Sequence, residues 1–519
     1  MYQLYKPLRN KLSKINLESG LQAMWIYREH LLNGRAVPQA LAGPPGFRKH
    51  LYLHQLATLT RELILNADVK GGKPFTYKTL AESFNLIRDI QGFISSRETD
   101  DPDRVLLDLH SIIHHQIPLN NPSLHMPVII RNSMIFGDDK INEMLKRTTG
   151  LDFIQFLFFA LQVSGGVIRH PYVSAHDDYS EFGISEEDRD LFFSKMSQSI
   201  DNLRTHSKAL ARYDHNWEYT VHALLSKPFV WLSNERPWEL YCPTPSFVWS
   251  RLGSGLYYDL VKEPDFGNVF GDSFEAYVGK YAKSVLPSDR FTVLKERPYH
   301  VGLDLKHGTD WIISDKTGHL FIECKTKRLN HDAKLLDAEQ PILNELTILA
   351  DAALQIYKNL DDALSGLTDL DAGDLTCYPM IVTLEDWVIF SPAIRAQLND
   401  LLKLAMIDNE KLLNLSARYP VTIASCQEFE ELLIVIRSCG IEKFFKARSH
   451  PDFDNWMLSA FMQSAFPTIQ RMDREVVSAK WRELLVRFTA RWEPQHQKSL
   501  LEIPVFSRGR PQNSEKIVR

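Results

Sequence analysis

The sequence predicts an α/β core at residues 256–440, preceded by a mainly α-helical region at residues 1–255 and followed by a helical extension at residues 441–519. Two apolar, β-branched runs, within 307–313 and 319–328, are separated by the short polar segment 314–318 that ends in glycine, which indicates a β-hairpin inside the core. Apolar residues recur at helical spacing on both sides of this hairpin and through most of residues 1–255. A small sheet inside a mostly helical chain is therefore the predicted architecture.

Helices are predicted over most of the N-terminal region because apolar positions repeat there at helical intervals. Asp100-Asp101-Pro102 and Asn120-Asn121-Pro122 are typical of turns between helices. The predicted helices are Leu51–Asn66, Tyr77–Ser95, Arg104–His115, Ile141–Val163 and Ser185–Leu210.

The core is predicted to contain a helix, three strands, a second helix and a further strand, in that order. Each helix is indicated by an apolar stripe, and each strand by a short β-branched or buried-type run. The predicted elements are a helix from about Asp272 to Leu286, an extended run from Arg290 to Val301, the hairpin, a helix along Ile342 to Leu360 and a buried strand from Tyr378 to Leu384.

The extension after residue 440 is also predicted to be mostly helical. Trp481, Leu485, Phe488 and Trp492 form an apolar stripe that is typical of an amphipathic helix docked on a core. From Arg508 onward the chain is basic, and we expect a disordered tail.

The composition is that of an ordinary globular protein, with 44% apolar and 24% charged residues. The formal charge of −5 argues against a generally basic nucleic-acid coat but is compatible with a local basic channel. The scattered cysteines, never paired as Cys-x-x-Cys, favour reduced thiols in a cytoplasm. Because the most apolar stretch is too short to span a bilayer, we expect a cytoplasmic protein without a membrane association.

The second strand of the hairpin carries a carboxylate and an ammonium group on one face. Since side chains alternate along a strand, Glu323 and Lys325 point to the same side as Phe321. Asp310, at the start of the preceding strand, reaches that side if the register allows it. Glu-x-Lys occurs once in the chain, at hairpin spacing from an Asp. The alternative is a solvated Glu–Lys pair on an edge strand, which would contribute little to stability.

Two carboxylates beside a lysine are suited to metal-assisted hydrolysis of phosphodiesters. The carboxylates of Asp310 and Glu323, helped by the backbone carbonyl of Cys324, offer the hard oxygen ligands that Mg²⁺ prefers, and Mn²⁺ is an expected substitute. Such an ion polarises a phosphate and acidifies a bound water. We expect Lys325 to orient that water or to stabilise the developing charge.

Asp310, Glu323 and Lys325 together resemble the catalytic motif of the PD-(D/E)XK nuclease superfamily, which includes many restriction endonucleases. The predicted order of helix, three strands, helix and strand is also similar to that of the superfamily core. The resemblance covers about residues 265–390 and implies a restriction endonuclease-like α/β fold. One departure is Thr309, which stands where the classical motif has a proline.

The resemblance implies two further site residues on the flanking helices. Glu275 is placed like an acidic residue that many members use to bind metal or water. The alternative is that Asp272 and Glu275 form a capping box that only closes the helix start. Gln355 is placed like a glutamine that some members hold near the lysine, and the alternative is a solvated helix residue.

The implied activity is that of a Mg²⁺-dependent endonuclease. DNA is the expected substrate, and bacterial defence against phage or foreign DNA is the expected role. Residues 1–255 would then sense or select the target, a phage or host protein would be an activating partner, and self-association is left open. Two alternatives also stay open: an RNA nuclease, for instance one that cuts tRNA, and a nuclease-fold module that binds nucleic acid without cutting it.

Overall fold

The computed structural model describes most of the chain. The predicted turns around residues 100–102 and 120–122 lie largely outside the described residues, as does the predicted disordered tail from Arg508. The described residues are 1–95, 102–120, 126–180, 184–295, 297–335, 339–389, 391–454 and 456–489.

Helices dominate the molecule, which is 60% helical and contains two mixed β-sheets. The predicted α/β content and the predicted helical surroundings are therefore confirmed. The helices before residue 261 are α1 Tyr2–Leu12, α2 Leu17–Asn33, α3 Leu53–Asn66, α4 Tyr77–Ser95, α5 Pro102–Asn120, α6 Met126–Ile135, α7 Asp139–Thr149, α8 Phe153–Arg169, α9 Glu186–Met196, α10 Ile200–Leu210, α11 Ser246–Ser250 and α12 Leu256–Leu260. The helices after it are α13 Phe266–Val285, α14 His331–Leu335, α15 Glu339–Leu364, α16 Pro392–Ala405, α17 Glu410–Arg418, α18 Cys426–Cys439, α19 Ile441–Arg448, α20 Leu458–Ala465 and α21 Arg474–Thr489.

The strands of the described residues form two larger sheets and one two-stranded sheet. They are β1 Tyr172–Ser174, β2 Ser197–Ser199, β3 Phe229–Trp231, β4 Glu239–Tyr241, β5 Thr292–Lys295, β6 Tyr299–Val301, β7 Asp304–Lys306, β8 Trp311–Asp315, β9 Gly318–Lys325, β10 Thr376–Thr383 and β11 Thr422–Ser425. The five-stranded sheet has the order β11-β10-β9-β8-β5, the four-stranded sheet has the order β1-β4-β3-β2, and β6 pairs with β7.

Two long helices predicted in the N-terminal region are each divided in the structure. The prediction of one helix over Ile141–Val163 is wrong, because Gly150 adopts a left-handed conformation with φ +85° after α7 and Asp152 then caps the start of α8. The prediction of one helix over Ser185–Leu210 is also wrong, because Ser197–Ser199 pairs in parallel with β3. Tertiary pairing thus overrides the local helical pattern at these residues.

Strands β8 and β9 form the predicted hairpin in the five-stranded sheet. Trp311 pairs with Ile322 and Asp315 with Gly318, which leaves Lys316 and Thr317 in the turn. Strand β10 runs parallel to β9, and α15 provides the long connection between them. Strand β5 pairs antiparallel with β8 at the edge of the sheet.

The extended run predicted from Arg290 to Val301 is not one strand. Thr292–Lys295 joins the sheet as β5, whereas Tyr299–Val301 belongs to the separate hairpin of β6 and β7. Pro298 stands between the two strands and lacks the N–H that a continuing ladder would use.

Helix α13 begins at Phe266, six residues before the predicted start at Asp272. Its N-cap position is Asp265, so Asp272 lies inside the helix. The alternative in which Asp272 and Glu275 form a capping box is therefore wrong.

Helices cover both faces of the five-stranded sheet. Ile312 and Phe321 point to one face and pack with Leu346 of α15. Leu320 and Ile322 point to the other face and pack with α13 and α18. This alternation is what the strand pattern predicts.

One hydrophobic cluster extends far along the chain. It includes Phe156 of α8, Phe274 of α13, Phe429 of α18 and Trp481 of α21, all of them buried. The boundaries predicted at residues 255 and 440 therefore fall within one continuous core. A second cluster contains side chains of α1–α4 and of α10 together with Trp217 and Phe247.

Membrane-spanning potential is low for individual elements. Among the described residues, no single helix is long and apolar enough to cross a membrane, and α7 with α8 reaches the required length and composition only as a pair bent by 67°.

Candidate functional site

Asp310 and Glu323 face each other across the open end of the β8–β9 hairpin. The last hairpin pair is Trp311 with Ile322, so Asp310 stands one step further, opposite Glu323. The backbone N–H of Cys324 donates a hydrogen bond of 2.6 Å to Oδ2 of Asp310. This bond holds the Asp310 carboxylate against the end of β9.

Lys325 contacts Glu323 on the same face of β9. The Nζ atom of Lys325 donates to Oε1 of Glu323 at 2.7 Å. Glu323 is buried, with 3% of its side chain exposed, whereas 27% of the Lys325 side chain reaches solvent. The second oxygen of Glu323, Oε2, is buried and has no hydrogen-bond partner among the described residues. An unpartnered buried carboxylate oxygen is costly, and it is therefore a position where a cation would be favourable.

The two carboxylates shift each other's ionisation. Burial raises the pKa of Glu323 to about 7, and the neighbouring charges of Asp310 and Glu275 also raise it. Burial raises the pKa of Asp310 to about 6, and the hydrogen bond from Cys324 partly offsets that rise. Lys325 lowers both pKa values without restoring their usual range. Carboxylates whose pKa is raised by burial and by neighbouring negative charge are common at functional sites.

Glu275 enters from the other side of the sheet, on α13. Its carboxylate forms an ion pair of 2.8 Å with Lys295 of β5, and its backbone carbonyl accepts a 2.9 Å hydrogen bond from the indole of Trp311. Its charge raises the pKa of both Asp310 and Glu323. Glu275 therefore belongs to the same electrostatic site, while its direct partner is a lysine.

Close packing fixes α13 against β8. A Cβ atom added at Gly279 would lie 2.0 Å from the ring of Trp311, so only glycine allows this approach. Trp311 directly follows Asp310, and Gly279 lies one helical turn after Glu275. The contact thus sets the distance between Glu275 and the two hairpin carboxylates.

The side chain of Gln355 is exposed on α15. The nearby Tyr357 is buried and donates instead to the backbone carbonyl of Tyr419 at 2.8 Å. The structure does not bring Gln355 into contact with Asp310, Glu323 or Lys325, and its role stays a prediction.

Glu345 of α15 is a site neighbour that the sequence patterns did not single out. It is 3% exposed, and its Oε1 accepts a 2.7 Å hydrogen bond from Asn330. Lys327, two residues after Lys325, places its Nζ 3.4 Å from Oε2 of Glu345 as an ion pair without hydrogen-bond geometry. The sequence contains one indication that Glu345 is buried. Glu345 stands beside Leu346 in the apolar stripe of α15, and a carboxylate at the edge of such a stripe becomes buried.

The possible metal-ligand atoms of the site can be compared with the coordination that a metal ion requires. Among the described residues, no three Asp, Glu, His or Cys side chains are gathered closely enough to hold a metal ion. Asp310, Glu323 and the carbonyl of Cys324 remain as oxygen donors, which matches the one or two carboxylates and several waters of a typical Mg²⁺ site. The thiol of Cys324 does not fit, because burial raises its pKa well above the usual range and keeps it protonated.

A surface cavity of about 650 Å³ lies away from this site. Its lining includes Glu186, Glu187 and Asp190. Three carboxylates repel a phosphate group, so this cavity is unsuited to a nucleic-acid substrate.

Comparison of the chain with protein-family models, with curated protein sequences and with solved structures finds no match.

Proposed function

We propose that this chain is a Mg²⁺-dependent endonuclease of the PD-(D/E)XK type, with a restriction endonuclease-like core and with DNA as its substrate. The observation that carries the proposal is the pair of Asp310 and Glu323 at the end of one hairpin, with Lys325 bonded to Glu323 and one Glu323 oxygen unpartnered. The order of α13, β5, β8, β9, α15 and β10 also supports it, although the β6–β7 hairpin and α14 are inserted between these elements.

In the proposed site, Asp310, Glu323 and the backbone carbonyl of Cys324 would hold Mg²⁺, with Mn²⁺ as a substitute. When bound, the ion would supply a polarised phosphate and a more acidic water. The N–H of Cys324 keeps the Asp310 carboxylate oriented. Glu323 keeps the Lys325 ammonium at the solvent-accessible edge, where it can hold a water or neutralise charge on a phosphate oxygen.

Local charge supports the approach of a phosphate backbone despite the net charge of −5. Lys283 lies 5.1 Å from the centre of the Trp311 ring, and Lys295 is 64% exposed beside Glu275. Lys295 and Lys325 each pair with a carboxylate of the site, and Lys283 lies over the ring of the residue next to Asp310. Phosphate contacts of this kind supply most of the sequence-independent affinity for DNA.

The proposed biological role is bacterial defence against phage or foreign DNA in the cytoplasm. This role is an analogy that rests on the combination of a nuclease-like site with a large helical region. A phage or host protein that activates the enzyme is part of the same proposal.

The test is a cleavage assay on plasmid, linear duplex, single-stranded DNA, branched DNA and total RNA, with Mg²⁺ or with chelator. Lys325→Ala is the test variant, and Lys316→Ala, in the turn of the same hairpin, is the matched control. We expect wild type and Lys316→Ala to cut DNA in Mg²⁺, and Lys325→Ala to lose about two orders of magnitude in rate or more.

Cleavage of RNA alone would replace the DNA assignment with the RNA nuclease alternative. Cleavage by Lys325→Ala at the wild-type rate would overturn the site. If wild type and both variants bind nucleic acid but cut none of it, even when extract from infected cells is added, the result would favour the non-cleaving module.

A further inference from the structure

The hairpin of β6 and β7 presents an apolar tip to solvent. Gly302 adopts φ +63° in its turn, and Leu303, the next residue, is fully exposed. Leu305 is 56% exposed on β7. Both side chains are therefore available to a ligand.

The base of this hairpin is fastened to α15. Oδ2 of Asp362 accepts hydrogen bonds of 2.8 Å from the hydroxyl of Tyr299 and of 2.8 Å from Nζ of Lys306. Asn359 donates to the Tyr299 hydroxyl at 3.1 Å. The tip is therefore presented on an anchored support, which lowers the entropy cost of inserting it into a partner.

Only a short stretch of chain separates the tip from the proposed cleavage site. Leu303 precedes Asp310 by seven residues, so a fully extended chain would separate them by at most about 25 Å. That distance is less than one turn of B-form DNA, about 34 Å. Arg297, His300 and His307 are exposed on the same segment and can contact phosphates.

We propose that the β6–β7 hairpin is a wedge that inserts Leu303 between neighbouring base pairs of duplex DNA. The proposal rests on the proposed function and narrows its substrate to DNA that is unstacked or kinked near the cut. Leucine is one of the apolar residues that proteins insert between base steps, which it partially unstacks.

The exposed area favours DNA over a protein partner. A stable protein interface buries about 800 Å² on each side. An aromatic side chain buries roughly 150–250 Å², so two smaller leucines provide less than about 500 Å² and fall short of that requirement. A base step needs only the tip that is present.

Binding to fluorescein-labelled duplexes of mixed sequence tests the wedge. One duplex is fully paired, and the other carries a single unpaired adenine at its centre. All proteins carry Lys325→Ala to prevent cleavage, and Ca²⁺ replaces Mg²⁺ because it takes the same oxygen ligands. Leu303→Ser is the test variant, and Leu404→Ser on α16, where the leucine is 65% exposed, is the matched control.

We expect Leu303→Ser to weaken binding to the paired duplex about tenfold, because an apolar side chain no longer leaves water. Binding to the bulged duplex should fall by a larger factor, since the unpaired base has already opened the stack and the parent buries Leu303 there without that cost. Permanganate should oxidise unstacked thymines in the parent complex and not in the Leu303→Ser complex. Leu404→Ser should match its parent throughout.

Equal binding by Leu303→Ser and parent, or an equal loss on both duplexes, would overturn the wedge. A change in sedimentation from dimer to monomer on Leu303→Ser would assign the tip to a second copy of the chain and overturn it too. Failure of the proposed function looks different: wild type would then cut none of the substrates in the cleavage assay. If wild type cuts and Leu303→Ser behaves like its parent, only the wedge is lost.

Discussion

Glu323 combines an unpartnered oxygen, a lysine partner and a carboxylate neighbour within a buried position. Oε2 of Glu323 has no hydrogen-bond partner among the described residues, and Asp310 stands opposite it. Ionising both carboxylates in the metal-free protein is unfavourable, because burial and mutual repulsion act in the same direction. The residues of this site are thus better arranged for binding a cation than for stabilising the fold.

Glu323→Gln should stabilise the metal-free protein at high pH. The folded pKa of Glu323 is about 7, above the ordinary value of 4.5, so its contribution to stability is present below pH 4.5 and is lost as the pH rises through 7. At pH 8 we expect the variant to be more stable than wild type by on the order of 2 kcal/mol. Urea unfolding in chelator at pH 5 and pH 8 measures this difference.

The measurement at pH 5 is the control for the measurement at pH 8. At pH 5 the Glu323 carboxyl is mostly protonated in the folded protein, so the two proteins should differ much less. A constant difference at both pH values would contradict the pKa shift as its cause.

Glu345→Ala should release Lys327 and Asn330 beside the site. Loss of the buried acceptor should lower stability by about 1–3 kcal/mol. Cleavage should fall roughly tenfold if Lys327 helps to position the end of β9. Glu442→Ala, which breaks the exposed pair with Lys446, is the control and should change stability by less than about 0.5 kcal/mol.

Rescue separates a positioning role from a purely structural one. Glu345→Gln keeps an acceptor for Asn330, so it should regain most of the stability. If Glu345→Gln regains stability while cleavage stays low, the charge of Glu345 acts on Lys327. If Glu345→Ala cuts at the wild-type rate, a positioning role is excluded.

At the scale of elements, the approach of α13 to β8 decides where Glu275 lies. Trp311 fills the space over Gly279, and its indole also bonds to the Glu275 carbonyl. A helix and a strand that touch at a glycine have a separation set by backbone atoms, which leaves little freedom for the residues one turn away. The contact between α13 and β8 therefore fixes where Glu275 lies.

Gly279→Ala should push α13 away from β8. The added Cβ would lie 2.0 Å from the Trp311 ring, and we expect a loss of about 1–3 kcal/mol in the free energy of unfolding. Cleavage should fall as well, because Glu275 moves with the helix. Denaturant unfolding and the plasmid assay measure the two effects.

Gly271→Ala is the matched control on the same helix. A Cβ atom added there meets nothing within 4 Å, so helix propensity should raise stability by up to about 1 kcal/mol. Equal effects of the two substitutions would contradict the packing argument.

At the scale of the whole molecule, the N-terminal region and the core share buried contacts. Arg131 of α6 forms a two-bond ion pair with Glu430 of α18, at 2.6 and 2.9 Å. Tyr277 of α13 donates to the same carboxylate at 2.6 Å. Three elements, one of them before residue 255, therefore meet at a single buried charge.

Arg131→Met should cost about 3–5 kcal/mol, because it leaves the Glu430 carboxylate buried without its cation. The double variant Arg131→Met with Glu430→Gln should recover much of that loss, since no uncompensated charge remains. Thermal unfolding followed by circular dichroism and by tryptophan fluorescence measures both. If the two probes showed separate transitions in wild type, the N-terminal region would fold independently of the core.

The same contacts bear on removal of the first 255 residues. Such a truncation takes away Phe156 and the other N-terminal members of the cluster that holds Phe274. We expect it to aggregate, so the proposed role of residues 1–255 in sensing or selecting the target is better tested with point substitutions.

The local elements followed from the sequence because their signals are local. Strand alternation placed Glu323 and Lys325 on one face, and apolar stripes located α4 and α15. Glycine and capping residues divided α7 from α8 in a way that composition alone did not reveal. The strand Ser197–Ser199 had no β-type sequence signal, because it exists only through its pairing with β3.

The sequence by itself determined that Asp310, Glu323 and Lys325 are neighbours, because they stand at fixed positions on one hairpin and chain connectivity brings them together. Only the tertiary structure decided which other residues lie near these three. Glu275 and Glu345 come from helices on opposite faces of the sheet, and their placement depends on packing between segments that are distant in sequence. The burial that raises the pKa of Asp310 and Glu323 has the same origin, since solvent is excluded by the assembled layers and not by any one segment.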